Sequence, residues 1–221
     1  MSKRRVFIVD DHQMMRQGLR VFLERESDLE VCGEADNGAE ALARILEMKP
    51  CAVIVDISLP GMNGIEFLKN LKAQQPEVAA IVVSAHDESV YAERALRAGA
   101  HGYVMKKEAV EEITVALRCA LDGEYHVSKS VTGAIFHKAL AVNGHGKSAS
   151  IAPTTLLSDR ELEVFELLGK GKSTREIAKI LRLSGKTVET HRAHIKEKCG
   201  LTSNTEMIQH ATIWMENAGT N

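Results

Sequence analysis

The chain has no long apolar run. After the basic start "MSKRR", the residues are apolar only from Val6 to Val9 before Asp10 and Asp11 intervene, too short for the core of a secretory signal. Neither export nor a membrane span is expected. Paired cysteines are missing as well. Cys32, Cys51, Cys119 and Cys199 are scattered with no C-x-x-C between them, which argues against disulfides and zinc and for free thiols in the cytoplasm. Nor is there a strong net charge, only −2 over 221 residues. With 44% apolar and 26% charged residues, disorder is not indicated, and the length is comfortable for two domains.

Near-neutrality conceals an uneven distribution. Residues 1–155 carry 18 Lys and Arg against 21 Asp and Glu, whereas Gly169 to Lys198 holds nine basic and three acidic residues. An acidic front and a basic stripe near the end is the asymmetry of a chain with a nucleic-acid partner, although charge runs are also common on solvated helix faces.

From residue 5 to about 122 the pattern alternates strand and helix. The strands are "RVFIVD", "LEVCGEA", "CAVIVD", "AAIVVSA" and "GYVM"; between them apolar residues recur at helical spacing, as in Met15, Leu19, Phe22 and Leu23. Five β–α units predict a doubly wound α/β fold of flavodoxin-like type, a five-stranded parallel sheet covered on both faces. Residues 126 to about 140 suggest one more helix, and "AVNGHGKSASIAPTT" has the composition of a flexible linker. Beyond it the period is wholly helical. Ser158 with Glu161, Ser173 with Glu176 and Ser203 with Glu206 each fit the S-x-x-E capping box, and Ser184 with Thr187 marks a fourth start. Four short helices make a small all-α domain. The expected division is 1–124, a connecting helix and linker over 125–153, and 154–221.

Asp56 ends the third strand and is followed by the turn residues Pro60, Gly61, Asn63 and Gly64. A lone aspartate there is usually a cap or turn residue. It has company, however: Asp10 and Asp11 end strand one, Ser84 ends strand four and Lys106 follows strand five. In a parallel sheet these ends share one edge. Three gathered carboxylates repel, and oxygen-only ligation suits Mg²⁺. Lys106 and Ser84 are donors for phosphoryl oxygens, so the set reads as phosphoryl transfer to an aspartate. His12 and His86 read as surface residues at helix starts.

"VDDH" at 9–12, "VDISLPGMNG" at 55–64, "VVSA" at 82–85 and "GYVMKK" at 102–107 closely resemble a response-regulator receiver domain. The resemblance implies Asp56 as phospho-acceptor, Mg²⁺ held by Asp11, Asp56 and the Ser58 carbonyl, and Asp10 acting through water. It implies Ser84 and Lys106 as phosphoryl contacts and Tyr103 as an aromatic switch turning inward with Ser84. Lys107 departs from the pattern, standing where many receivers have proline.

In "TREIAKILRLSGKTVETHRAHIKEKCGL" two helices flank a tight turn. On the second, Val188, Ile195 and Cys199 share one face. Glu189, Thr190, Ala193 and Lys196 lie opposite, with Lys186, Arg192 and His194 beside them. Such a helix suits a DNA major groove, and equally an ordinary amphipathic role. The segment from Leu157 resembles the LuxR-type helix-turn-helix through "LSDRELEV", "EIA" and "TVETH". Joined to a receiver, it is similar to the NarL/FixJ class of transcription regulators. The resemblance implies DNA contacts from Lys186, Thr187, Glu189, Thr190, Arg192, Ala193 and Lys196, with Glu189 where lysine is common. It also implies a sensor histidine kinase, a homodimer on phosphorylation, RNA polymerase and double-stranded DNA as partners, and no membrane. No enzymatic turnover is expected beyond slow loss of phosphate from Asp56. Two rivals are a phosphohydrolase, whose D-x-D-x-T loop "DDHQM" lacks, and a DNA-binding protein whose receiver only dimerises.

Overall fold

The computed structural model describes residues 3–108, 110–141 and 153–218. The chain divides into two compact units, Met1–Gly144 and His145–Asn221.

The first unit runs β1 (Arg4–Val9), α1 (Gln13–Leu23), β2 (Leu29–Ala35), α2 (Gly38–Met48), β3 (Ala52–Val55), α3 (Gly64–Gln74), β4 (Ala79–Ser84), α4 (Glu88–Arg97), β5 (Gly102–Met105), α5 (Val110–Leu121) and α6 (Lys129–Ala141). The five described strands form one parallel sheet in the order β2-β1-β3-β4-β5, as expected. Residues of β3 and β4 are buried throughout because helices cover both faces. Val6, Ile8, Ile54, Ile81, Val83 and Val104 pack against Leu19 and Leu23 of α1 and Ile113 and Leu117 of α5. Phe7 points the other way, with the Arg44 guanidinium of α2 5.6 Å from its ring centre. Chain order reverses between β1 and β3, which opens a crevice beyond their carboxyl ends.

α3 begins hard against that crevice. Asn63 caps it by accepting from the Glu66 N–H at 2.9 Å, and the Gly64 N–H donates to the Ile57 carbonyl at 2.8 Å. A Cβ on Gly64 would overlap the carbonyl oxygen of Asp56 and lie 2.8 Å from the Ile57 Cα. Only glycine lets the helix start this close to the loop.

The helix expected from residue 126 begins instead at Lys129. The chain before it stays extended: the Tyr103 N–H donates to the His126 carbonyl at 3.0 Å and the His126 N–H to the His101 carbonyl at 2.8 Å, a parallel bridge on the free side of β5. Most of the expected linker lies outside the described residues.

The second unit holds α7 (Pro153–Leu156), α8 (Asp159–Gly169), α9 (Thr174–Ile180), α10 (Gly185–Cys199) and α11 (Asn204–Ala218). The single turn α7 adds to the four expected helices. Capping boxes at Ser158 and Ser173 are complete. The one at Ser203 is half formed. Ser203 accepts from the Glu206 N–H at 3.0 Å, but the Glu206 carboxylate takes the N–H of Thr202 at 2.7 Å and its hydroxyl at 2.8 Å, one residue earlier. Phe165, Leu168, Ile177, Val188, Ile195, Met207 and Ala211 are buried in this unit. Among the described residues no helix is long and apolar enough to cross a membrane.

Glu161 ties the unit together. Besides completing its capping box, it accepts from Lys198 of α10 at 2.6 Å. Burial opposes its charge, but Lys198 and Ser158 outweigh burial and hold its pKa below the ordinary glutamate value.

Two stability changes are expected. Gly64→Ala should cost about 1–3 kcal/mol by overpacking, read as faster amide hydrogen exchange in α3. A normally protected α3 would contradict the close approach. Because the folded pKa of Glu161 is depressed, its contribution is present above the unfolded glutamate pKa and fades as pH falls through the folded one. Glu161→Gln should therefore destabilise the second unit near pH 7 by about 1–2 kcal/mol, seen as a lower urea midpoint. The gap from wild type should narrow in acid, followed by fluorescence of Trp214, the single tryptophan. A gap that does not depend on pH would contradict the argument.

Candidate functional site

The sheet sets the geometry of the crevice. Its backbone bonding continues one residue past the strands: the Asp56 N–H donates to the Val9 carbonyl at 2.9 Å and the Lys106 N–H to the Ser84 carbonyl at 2.8 Å. Asp56 is thereby registered beside Asp10, and Lys106 follows Met105, the residue paired with Ser84. The Lys106 ammonium lies 2.7 Å from Asp10 Oδ2 and 2.7 Å from Asp56 Oδ2.

Asp10, Asp56 and Ser84 are buried. Burial, and next the Asp56 charge, raise the pKa of Asp10 despite the attraction of Lys106. Burial opposes the charge of Lys106, but Asp56 and Asp10 outweigh it and raise its pKa. The site thus holds more negative charge than its lysine balances. Asp56 Oδ1 is buried with no hydrogen-bond partner among the described residues. Asp10, Asp11, His12 and Asp56 each offer a ligand atom within 4.8 Å of the others. An orphaned buried oxygen in an acidic cluster fits a divalent cation.

His12 lies where expected, exposed at the N-cap position of α1, and its Nδ1 lies 2.8 Å from Asp11 Oδ1 and 3.3 Å from Asp10 Oδ1. His86 bridges loops: its Nε2 lies 2.9 Å from the Ser58 hydroxyl, and its N–H donates to Ser84 Oγ at 3.3 Å. Its carbonyl accepts from the Tyr103 hydroxyl at 2.8 Å. Tyr103 is buried, with its hydroxyl on this loop. The peptide after Lys106 is trans.

In the second unit, Ser184 starts α10 by accepting from the Thr187 N–H at 3.0 Å, and Gly200 ends it in the left-handed conformation. Val188 and Ile195 are buried; Cys199 is half-buried. Lys186, Glu189, Thr190 and Ala193 are exposed, whereas Thr187, Arg192 and Lys196 are half-buried. Several of these polar groups are already engaged. Glu189 accepts from the Thr174 hydroxyl at 2.7 Å, and the Arg192 guanidinium, 3.3 Å from Glu189, donates to Thr174 as well. The Thr190 hydroxyl donates to the Lys186 carbonyl at 3.0 Å. No sequence period announces the Thr174–Glu189–Arg192 link; helix packing alone creates it.

Residues 6–118 match the response regulator receiver domain, and residues 155–211 match the bacterial regulatory proteins of the luxR family. The oxygen regulatory protein NreC of Staphylococcus aureus (strain JH9) is 33% identical over 208 residues, covering 94% of this chain and 96% of its own. A two-component response regulator of the LuxR family from Aurantimonas sp. SI85-9A1 superposes with a TM-score of 0.58 at 31% identity, covering 63% of this chain and 99% of its own. RcsB from Salmonella enterica serovar Typhimurium, solved bound to promoter P1flhDC in the presence of the phosphomimetic BeF3−, gives 0.61 at 25% identity over 96% and 100%. The chain belongs to the two-component response regulators, a DNA-binding regulator of the NarL/FixJ class that joins a receiver domain to a LuxR-type helix-turn-helix.

Proposed function

We propose that Asp56 accepts a phosphoryl group from a sensor histidine kinase and that the resulting phosphoprotein pairs on promoter DNA, in the cytoplasm. The observation that carries this is the arrangement around Asp56: one buried oxygen without a partner, the other held at 2.7 Å by Lys106. An Asp56 oxygen forms the bond to phosphorus as the phosphorus–nitrogen bond to the kinase imidazole breaks. Lys106 and Ser84 then bind the phosphoryl oxygens. Asp11, Asp56 and the Ser58 carbonyl would hold Mg²⁺, with Asp10 acting through water; the ion would neutralise charge on the phosphoryl group.

The switch follows from contacts already present. Ser84 touches the His86 N–H, and Tyr103 hangs on the His86 carbonyl. A Ser84 drawn toward the phosphoryl group therefore moves the loop to which Tyr103 is fastened. In this reading residues 1–124 are the receiver, 125–153 connect, and 154–221 bind DNA. Lys186, Thr187, Thr190, Ala193 and Lys196 contact DNA directly, while Glu189 and Arg192 shape the helix surface unless DNA displaces their link to Thr174. RNA polymerase is the expected further partner. RcsB, seen on two promoters with the phosphomimetic, supports this order of events by likeness.

A small phosphodonor with Mg²⁺ should add one acid-labile phosphate to the wild-type chain and none to Asp56→Asn, measured by mass spectrometry. Lys106→Ala should still bind Mg²⁺ yet lose most of its phosphorylation-dependent change in DNA affinity. Equal labelling of wild type and Asp56→Asn would remove the assignment.

One small helix-turn-helix buries little surface, so pairing should be needed for tight binding. Phosphorylated chains should dimerise in ultracentrifugation and prefer half-sites about 10 bp apart, or a multiple of that. Thr190→Ala should alter base preference, whereas Lys196→Ala should weaken all sequences and lower the salt slope by about 0.9. Tight binding of a phosphorylated monomer to one half-site would defeat this mechanism.

A further inference from the structure

We propose that Thr174 is a positioning residue for DNA specificity: its hydroxyl fixes the Glu189 carboxylate as an acceptor that selects cytosine at one position of each half-site. The inference rests on the reading of α10 as the helix that meets DNA, with the link to Thr174 kept there.

Thr174 is the first residue of α9, and its hydroxyl serves α10 as both acceptor and donor. It accepts from the Arg192 guanidinium and donates to Glu189 Oε1 at 2.7 Å. The same guanidinium lies 3.3 Å from Glu189 Oε1. One oxygen of Glu189 is therefore held by two groups, while Oε2 takes no bond among the described residues. The Glu189 side chain is 55% exposed against 12% for Arg192, so a ligand meets the acid and not its cation.

The link adds little to stability. An exposed ion pair contributes weakly, and the two helices already bury Ile177, Val188 and Ile195. Its effect is to hold a long, flexible carboxylate in one place, which removes an ordering cost from any contact that carboxylate makes. Arg192 also offsets a negative charge that phosphates would otherwise repel. Ala193, one turn further on and exposed, is small enough for the backbone to come close to base edges.

Chemistry then names the base. A carboxylate only accepts hydrogen bonds. The major groove offers donors from the amino groups of cytosine and adenine, but adenine sets its N7 acceptor beside that group and repels a carboxylate there. Cytosine carries no acceptor on this edge.

The base preference is read by enriching bound DNA from a random pool, using the full chain with phosphodonor. Wild type should favour cytosine roughly tenfold at one position of each half-site. Thr174→Val keeps the shape, removes the hydroxyl and should lose most of that preference, whereas Thr174→Ser should retain it. Glu189→Ala should lose it too, and adding Thr174→Val should then change nothing more, as for residues that act as a unit. The salt slope should stay unchanged in Thr174→Val, since no phosphate contact is removed. Ser173, not Thr174, caps α9, so this variant should keep the wild-type urea midpoint, followed by Trp214 fluorescence. A cytosine preference that survives Thr174→Val, or one lost equally in Thr174→Ser, would overturn the positioning role, as would a wild type that favours another base there. DNA binding indifferent to Lys186→Ala and Lys196→Ala would place the contact on another surface and overturn the underlying reading as well.

Discussion

Like charges gathered at one sheet edge are the constraint on which the first unit depends. Three carboxylates beyond β1 and β3 repel one another, and burial makes the repulsion worse by removing water. A single ammonium, reaching across from the end of β5, holds two of them at once. That reach is possible only because five parallel strands end in register, which in turn requires helices on both faces and apolar strands between them. Burial first, and then the Asp56 charge, keeps the pKa of Asp10 raised in spite of that ammonium. A structure built this way is poised: any added cation or phosphoryl group rearranges the charge balance, and so acts on the loops that carry it.

The second unit meets a related problem with a different remedy. α8 buries Glu161, Glu163 and Glu166 together with its apolar face. Each has a cation: Lys198 at 2.6 Å, Arg160 at 2.6 Å and Lys170 at 2.7 Å respectively. Lys198 comes from the last turn of α10, and the Arg160 guanidinium also donates to the Leu181 carbonyl at the end of α9. The acids of α8 thus fix the two helices of the helix-turn-helix by their ends and leave the exposed side of α10 to other work.

Much of this was legible in the chain. The strands show as apolar runs, and each carboxyl end carries a polar residue whose chemistry is recognisable without coordinates. Ser158 and Ser173 announced their helices because a capping box is a local structure with a local sequence. What could not be read depends on distance between segments. His86 looked like a surface residue until the fold brought Ser58 and Tyr103 to it. Helical spacing put Arg192 at the flank of the polar face, but did not show that Thr174 and Glu189 engage it there. The box at Ser203 formed only by half, since the N–H and hydroxyl of Thr202 both donate to the same glutamate. The late start of α6 has a similar cause: pairing of His126 with β5 competes with helix for the same backbone groups.

That pairing bears on solubility. β5 is the last strand of the sheet, and the outer row of an edge strand is a template on which another chain can add by backbone bonding. Here the polypeptide covers the start of that edge itself, because the His126 carbonyl accepts from the Tyr103 N–H and the His126 N–H donates to the His101 carbonyl. A chain cut just after α5 would keep every residue of the acidic crevice and still leave the Tyr103 N–H and the His101 carbonyl open to a strand from another molecule.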